Sequence, residues 1–288
     1  MRSFIEKNQK TTEAKRLTNI KTIRKAILKT VLASQDKLTP IALEKIASKK
    51  YALEKKQVKS IIQDLIDRRE LVYTYQYGSS FLEKSFNRPV RISKHVVIKP
   101  PENSFASKPG DVVINLKQGA SFGTGEHPTT RLAVKGIEYV LKECDDFKGS
   151  KKSCLLDVGT GSGILVIAAV LLGVKKGMGI DTDPCSIAEA KENIKINGLQ
   201  NRIDICDRDL EKIDRVFSMI TANLRYPTIK RLVPYMYKTV HKNGFIVLSG
   251  VKTDEIRDLL DIYKDKGFLC RWKENEQDWA GVVFEKAG

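Results

Sequence analysis

Cysteine is scarce and unpatterned in this 288-residue chain. The five present (Cys144, Cys154, Cys185, Cys206 and Cys270) are odd in number, widely spaced and without a CxxC pair. That excludes a disulfide framework and a zinc site, so no metal is expected, and it fits a reducing cytoplasm. Long apolar runs are also missing. The longest uncharged one, Ile164 to Val174, has 11 residues, where a membrane helix needs about 20. The N-terminus, MRSFIEKNQKTTEAKR, is basic but no apolar stretch follows it, so no secretory signal is expected. With 9 prolines, 41% hydrophobic and 30% charged residues, collagen-like, mucin-like and wholly disordered chains are excluded.

Acidic residues run short at one end only. Residues 1–100 hold 23 Lys+Arg against 9 Asp+Glu, net +14, while the remaining 188 hold 28 against 26, net +2. Such asymmetry points to a polyanionic partner for the N-terminal part, nucleic acid or a ribonucleoprotein, and no membrane. A lysine-rich solvated surface is the plainer reading.

The chain divides accordingly. Residues 1–17 read as a basic tail without periodicity. From Ile20, apolar residues at spacings of three and four (Ile23, Ile27, Leu28, Val31, Leu32) predict a helix. Thr39-Pro40 reads as an N-cap with proline at the first helical position, opening a second helix through Ile41, Leu43, Ile46 and Ala47. A third helix from about Leu53 turns Val58, Ile61, Ile62, Leu65 and Ile66 inward and leaves Lys55, Lys56 and Lys59 outside. LVYTYQYGSSFLEKSF then reads as two strands about a Gly78-Ser79 turn. Three helices and a hairpin over 18–88 resemble a small α+β winged helix-turn-helix, with Lys55, Lys56 and Lys59 as candidate nucleic-acid contacts on the third helix. Residues 89–110, with Pro100-Pro101, read as a linker.

From 111 to 288 strands and helices alternate, with strands expected at 154–158, 177–180, 203–206, 216–222, 245–248, 268–273 and 279–285. The expected fold class is α/β: a doubly wound, seven-stranded Rossmann-like sheet with ligands at the carboxyl ends of its strands. The sharpest motif is Asp157-Val158-Gly159-Thr160-Gly161-Ser162-Gly163, a strand entering a glycine turn and then a helix. Glycines there permit tight bending and close ligand approach, and the helix N-terminus offers free N–H groups. It lacks the G-K-[ST] of a P-loop and the spacing of G-x-G-x-x-G. D-x-G-x-G-x-G resembles the first motif of S-adenosylmethionine-dependent methyltransferases. Asp181 ends the next strand, 22 residues after Gly159, where a carboxylate can accept both ribose hydroxyls.

A second glycine segment, Phe122-Gly123-Thr124-Gly125-Glu126-His127-Pro128-Thr129-Thr130, precedes a helix starting at Pro128. FGTGEHPTT, LLDVGTGSGIL, GIDTDPCSIAEAKENIKING, TANL, FIVLSG and the terminal WAGVVFEK together closely resemble the PrmA family over about Arg88 to Lys286. These are methyltransferases that modify a ribosomal protein of the large-subunit stalk base. The resemblance implies S-adenosyl-L-methionine as cofactor, with Phe122, Thr124 and Gly125 enclosing its methionine portion, Asp157, Gly159 and Gly161 in the cofactor loop, and Asp181 on the ribose. It puts Asn223 and Thr124 at the methyl group as the catalytic pair, with Asn223 also counted among the cofactor contacts. His127 is expected to hold the loop against its helix, without duty as a base. One departure stands out: the family's small α+β N-terminal domain, which presents the ribosomal protein, is replaced here by the basic helix-turn-helix-like region.

The expected function is therefore N-methylation of amino groups, lysine or N-terminal, on a ribosomal or nucleic-acid-associated protein. Two alternatives stay open: methylation of RNA or DNA, with the N-terminal domain as binding module, and a transcriptional regulator that senses S-adenosylmethionine.

Overall fold

The computed structural model describes residues 21–34, 37–68, 70–76, 79–84, 89–117, 125, 127–144, 147 and 153–288. The expected basic tail lies outside them, as does Gly78 of the expected hairpin turn. The chain forms two compact units, Met1–Asn87 and Arg88–Gly288. Among the described residues no helix is long and apolar enough to cross a membrane.

In the first unit, helix α1 (21–33) precedes α2 (Pro40–Tyr51) and α3 (Lys55–Asp67), and strands β1 (Leu71–Gln76) and β2 (Ser79–Lys84) pair antiparallel. Thr39 caps α2, its hydroxyl accepting the Ala42 N–H at 3.1 Å. Glu54 and Gln57 form a capping box at the start of α3. Ile27, Leu43, Ala47, Val58, Ile62, Leu65, Leu71 and Leu82 make the core. An antiparallel bridge between Leu38 and Leu82, which the sequence pattern does not announce, ties the approach to α2 onto the hairpin. Leu43 and Ala47 supply the buried face of α2, whereas Ile41 is 79% exposed. Lys55, Lys56 and Lys59 are exposed, as expected.

In the second unit, residues 89–110, expected as a linker, carry two strands. Strands β3 (Val90–Arg91) and β4 (Val96–Lys99) pair antiparallel, and β4 pairs parallel with β5 (Val112–Asn115). Ile92, Val96, Val97, Ile98 and Ile114 are buried there. The runs VRI and VVI are too short to be read as strands without the partner that β5 supplies. Helix α4 (Pro128–Glu143) holds this sheet through the buried Glu138, which accepts the Ser93 hydroxyl at 2.6 Å and the His95 N–H at 2.8 Å. Arg91 clasps Asp111 with two 2.8 Å hydrogen bonds and holds its carboxyl down at about 2.

Seven strands form the main sheet: β6 (Cys154–Val158), β7 (Lys176–Asp181), β8 (Ile203–Asp207), β9 (Phe217–Asn223), β10 (Val240–Lys252), β11 (Phe268–Glu276) and β12 (Trp279–Lys286). Their spatial order is β11-β12-β10-β9-β6-β7-β8, parallel except for β12, which runs antiparallel between β10 and β11. The chain starts mid-sheet at β6, winds outward to β8 and returns to β9 on the other side. The switch point, where ligands bind in such sheets, is the carboxyl end of β6. Helices α5 (Ile164–Leu172), α6 (Pro184–Ile196), α7 (Tyr226–Thr239) and α8 (Ile256–Asp265) complete the layers. Helix α5 is apolar all round because it is enclosed on every side, with all but one of its nine residues buried, and it stops at Gly173, whose φ is +137°.

The open end of α5 is closed by Arg202, whose Nη2 donates to the Val170 and Val174 carbonyls at 2.9 and 2.7 Å and whose Nε donates to Lys175 O at 3.2 Å. One guanidinium thus ties the Val170 carbonyl in the last turn of α5 to those of Val174 and Lys175 at the entry to β7. Arg202→Ala is expected to lower stability by about 2 kcal/mol, with Arg202→Lys recovering only part because an ammonium cannot fork. Urea unfolding at the wild-type midpoint would remove this clamp from the account.

Candidate active site

Three strand ends converge at the switch point. After β6, Gly159, Gly161 and Gly163 take φ of +71°, +54° and +81°, a left-handed backbone that suits glycine. The turn folds back on β7: Gly159 and Thr160 both donate their N–H to Ile180 O, at 2.9 and 3.0 Å. Gly161 N–H donates to Asp181 Oδ2 at 2.9 Å, and Asp181 Oδ1 accepts the Thr182 and Asp183 N–H groups at 2.8 and 3.1 Å. Asp181 is therefore a fixed, half-buried carboxylate whose remaining lone pairs can take further donors.

Asp157 lies beneath this loop and is fully buried. Thr160 and Thr221 donate their hydroxyls to its two oxygens at 2.8 and 2.7 Å. Burial pushes its carboxyl up to about 6, against the opposing pull of the two hydroxyls and of the Val166 N–H in the first turn of α5. So Asp157 is a brace within the loop, joining β6, β9 and α5, and is not placed to touch a ligand. Space for the Thr160 hydroxyl comes from Gly179 on β7, where a Cβ would lie 2.7 Å from Thr160 Oγ1. Thr160, Thr221 and Gly179 escape a reading of motifs one at a time. Thr221 carries one usable signal: it precedes Asn223 by two residues, hence shares its face of the strand.

Asn223 is the last residue of β9 and is half-buried. Leu224, next in the chain, covers the glycine turn closely enough that a Cβ on Gly159 would lie 2.6 Å from Leu224 Cδ2. Gly159, Gly161, Asp181 and Asn223 thus lie at the carboxyl ends of the neighbouring strands β6, β7 and β9. Of the second glycine segment, Phe122 and Thr124 lie outside the described residues. Gly125, at φ +76°, packs so tightly that a Cβ would meet Ile98 Cδ1 at 2.2 Å and Ile164 Cδ1, at the head of α5, at 3.2 Å. Gly125 therefore lies against the head of α5, next to the glycine loop. His127 caps α4, its Nδ1 accepting the Thr129 N–H at 3.3 Å, with its ring edge-on to Trp279. Burial and nearby Arg131 lower its pKa, so it is a neutral cap.

Helix α6 fastens the periphery. Asn193, fully buried, donates to Ser162 O at 2.9 Å and accepts the Lys117 N–H at 3.0 Å, while Asn197 bonds both the N–H and the C=O of Asn115. The glycine loop and the strand leading out of β5 are held by one helix face.

The perturbed Asp157 generates a pH prediction. Its folded carboxyl titrates above the unfolded value of 3.8, so between about pH 4 and pH 6 the folded state holds more protons and stability falls as pH rises. The contribution amounts to about 3 kcal/mol across the window. Measured by urea unfolding at several pH values, wild type is expected to lose ground to Asp157→Asn from pH 4 to pH 6 and to run parallel above. A difference independent of pH would show that this carboxyl is not perturbed.

Comparison with known proteins bears on this geometry. A sequence model of the family described as ribosomal protein L11 methyltransferase (PrmA) matches residues 6–287 and so takes in the N-terminal unit as well. Curated relatives named ribosomal protein L11 methyltransferase include one from Heliobacterium modesticaldum, 33% identical over 71% of this chain and 63% of its own length. Another, from Geobacter metallireducens, is 35% identical over 68% of this chain and 62% of its own. The match thus spans under two thirds of the length of these relatives. Among solved structures, a ribosomal protein L11 methylase from Lactobacillus delbrueckii subsp. bulgaricus superposes with a TM-score of 0.62 at 28% identity, covering 70% of this chain and all of that one. A family model matched over nearly the whole chain shows that it belongs to the PrmA family of ribosomal protein L11 methyltransferases.

Proposed function

We propose that the protein is an S-adenosylmethionine-dependent N-methyltransferase acting on amino groups of a ribosomal protein; the name of its relatives, ribosomal protein L11 methyltransferase, supports the ribosomal-protein target. The observation that carries this reading is the Asp181 carboxylate, fixed by three backbone N–H groups beside the glycine turn and two strands from Asn223, with β6 between. Bound there, the cofactor supplies an electrophilic methyl group on a sulfonium. The residues fit it: Asp181 can accept the ribose hydroxyls, and Gly159 and Gly161 let backbone approach without a Cβ in the way. Methyl transfer needs no covalent enzyme intermediate, only an amine with a free lone pair held in line, so the protein's share is alignment and electrostatics. Asn223, through its side-chain carbonyl, accepts an amine N–H and turns the lone pair toward the methyl. Phe122, Thr124 and Gly125 would close the site. His127, spent as a helix cap, leaves Asn223 to orient the amine without a histidine base.

We further infer that the N-terminal unit engages a ribonucleoprotein through Lys55, Lys56 and Lys59, exposed on α3 beside the face that buries Val58, Ile62 and Leu65. A reducing cytoplasm suits both roles, since none of the five cysteines is in a disulfide.

Tritiated methyl transfer into a lysate, followed by protease or nuclease, separates the targets. The label is expected to be sensitive to protease and resistant to nuclease, whereas nuclease-sensitive label would move the substrate to RNA. For the lysines, the full-length chain with all three replaced by Glu is expected to bind RNA more weakly. Its slope of log affinity against log salt should be shallower by roughly 0.7 for each single-strand phosphate that is no longer neutralised. An unchanged slope would return these lysines to a solvated face.

A further inference from the structure

On the strand beside Asn223 lies a buried hydroxyl with no hydrogen-bond partner among the described residues. Ser249, in β10, is 0% exposed, and its Oγ has no hydrogen-bond partner. Buried polar groups are nearly always paired, because an unpaired one forfeits its water without compensation. Its position is specific. In the parallel pairing of β9 with β10, Ser249 stands directly opposite Asn223, and Val247 opposite Thr221. Side chains alternate along a strand, so Ser249 and Asn223 share the face on which Thr221 reaches Asp157. The backbone reinforces this closeness: Leu224 N–H donates to Ser249 O at 3.1 Å, and Gly250 takes φ +84°. A Cβ on Gly250 would lie 3.0 Å from Asn223 Oδ1, so the Asn223 amide already lies against the Ser249-Gly250 turn. No described residue hydrogen-bonds that amide either.

We propose that Ser249 is a positioning residue for Asn223. When an acceptor amine is bound, Ser249 Oγ accepts a hydrogen bond from Asn223 Nδ2, which fixes the amide plane and aims Asn223 Oδ1 at the amine. The buried Ser249 hydroxyl is then satisfied, and the half-buried Asn223 amide is fixed, in the liganded state only. The arrangement accounts for a serine where a buried alanine would cost nothing to desolvate: the cost borne by the free protein is recovered when the acceptor site fills. This inference rests on the reading of Asn223 above, and its test is chosen to separate the two.

Calorimetry with two cofactor analogues avoids any need for the protein substrate. S-adenosylhomocysteine has no group at the methyl position, whereas sinefungin carries an amine there. Ser249→Ala is expected to weaken sinefungin by about three- to tenfold and to leave S-adenosylhomocysteine within about twofold. In an Asn223→Ala background the same substitution should change neither, since Ser249 acts only through Asn223. Ser249→Ala should also raise the melting temperature of the free protein, the opposite of what a hydroxyl with a purely structural role would give. Equal weakening of both analogues, an effect that persists without Asn223, or a lowered melting temperature overturns the proposal while the cofactor assignment stands. Wild type that binds neither analogue removes the functional reading and this proposal with it.

Discussion

The hydrogen bond from Gly161 N–H to the Asp181 carboxylate is the constraint around which the site is built. It closes the glycine turn of β6 against the end of β7, and with the two N–H donors on Ile180 O it fixes where the backbone amides at the head of α5 point. Asp181 is held in return. Its orientation is set by three backbone donors, so a ligand hydroxyl meets a carboxylate whose reorganisation has already been made. Helix α5 extends the same logic, since it is enclosed on all sides and clamped at its far end by Arg202.

Beneath the loop, Asp157 does a different job from Asp181 although both are aspartates at the ends of adjacent parallel strands. One is buried and braced by hydroxyls, and its charge is disfavoured by burial and by the other's proximity. The other is half-exposed and braced by backbone. The buried one carries structure and the exposed one is available to a ligand. Thr221, Asn223, Val247 and Ser249 continue that face across β9 and β10, which is how a sheet brings residues distant in sequence to one mouth.

Much of this was legible in the sequence, for physical reasons. Glycine turns at strand ends, a carboxylate one strand later and proline at helix starts are local signals, and Gly159, Asp181, Pro128 and Pro184 stand where those signals put them. What was not legible depends on partners distant in sequence. β4 is held between β3 and β5, and Ser93 and His95 are held by Glu138, more than 40 residues on. The bridge from Leu38 to Leu82 is of the same kind. In α2, four apolar positions (Ile41, Leu43, Ile46 and Ala47) read alike in the sequence, because one helix face cannot be told from its neighbour until its packing partners are known. Only Leu43 and Ala47 enter the core. The bracing threonines and Asn193 were missed because hydrogen bonding to a loop leaves no periodic trace.

The central claim is that a fixed Asp181 carboxylate beside the glycine turn holds the ribose of an S-adenosyl ligand. Titration calorimetry of S-adenosylhomocysteine against wild type and Asp181→Asn tests it most directly, because the substitution keeps the shape and removes the charge. The account predicts affinity weakened by about tenfold or more, as loss of hydrogen bonds to a charged acceptor requires, with the fold intact by circular dichroism. Equal affinity in the two proteins would contradict it.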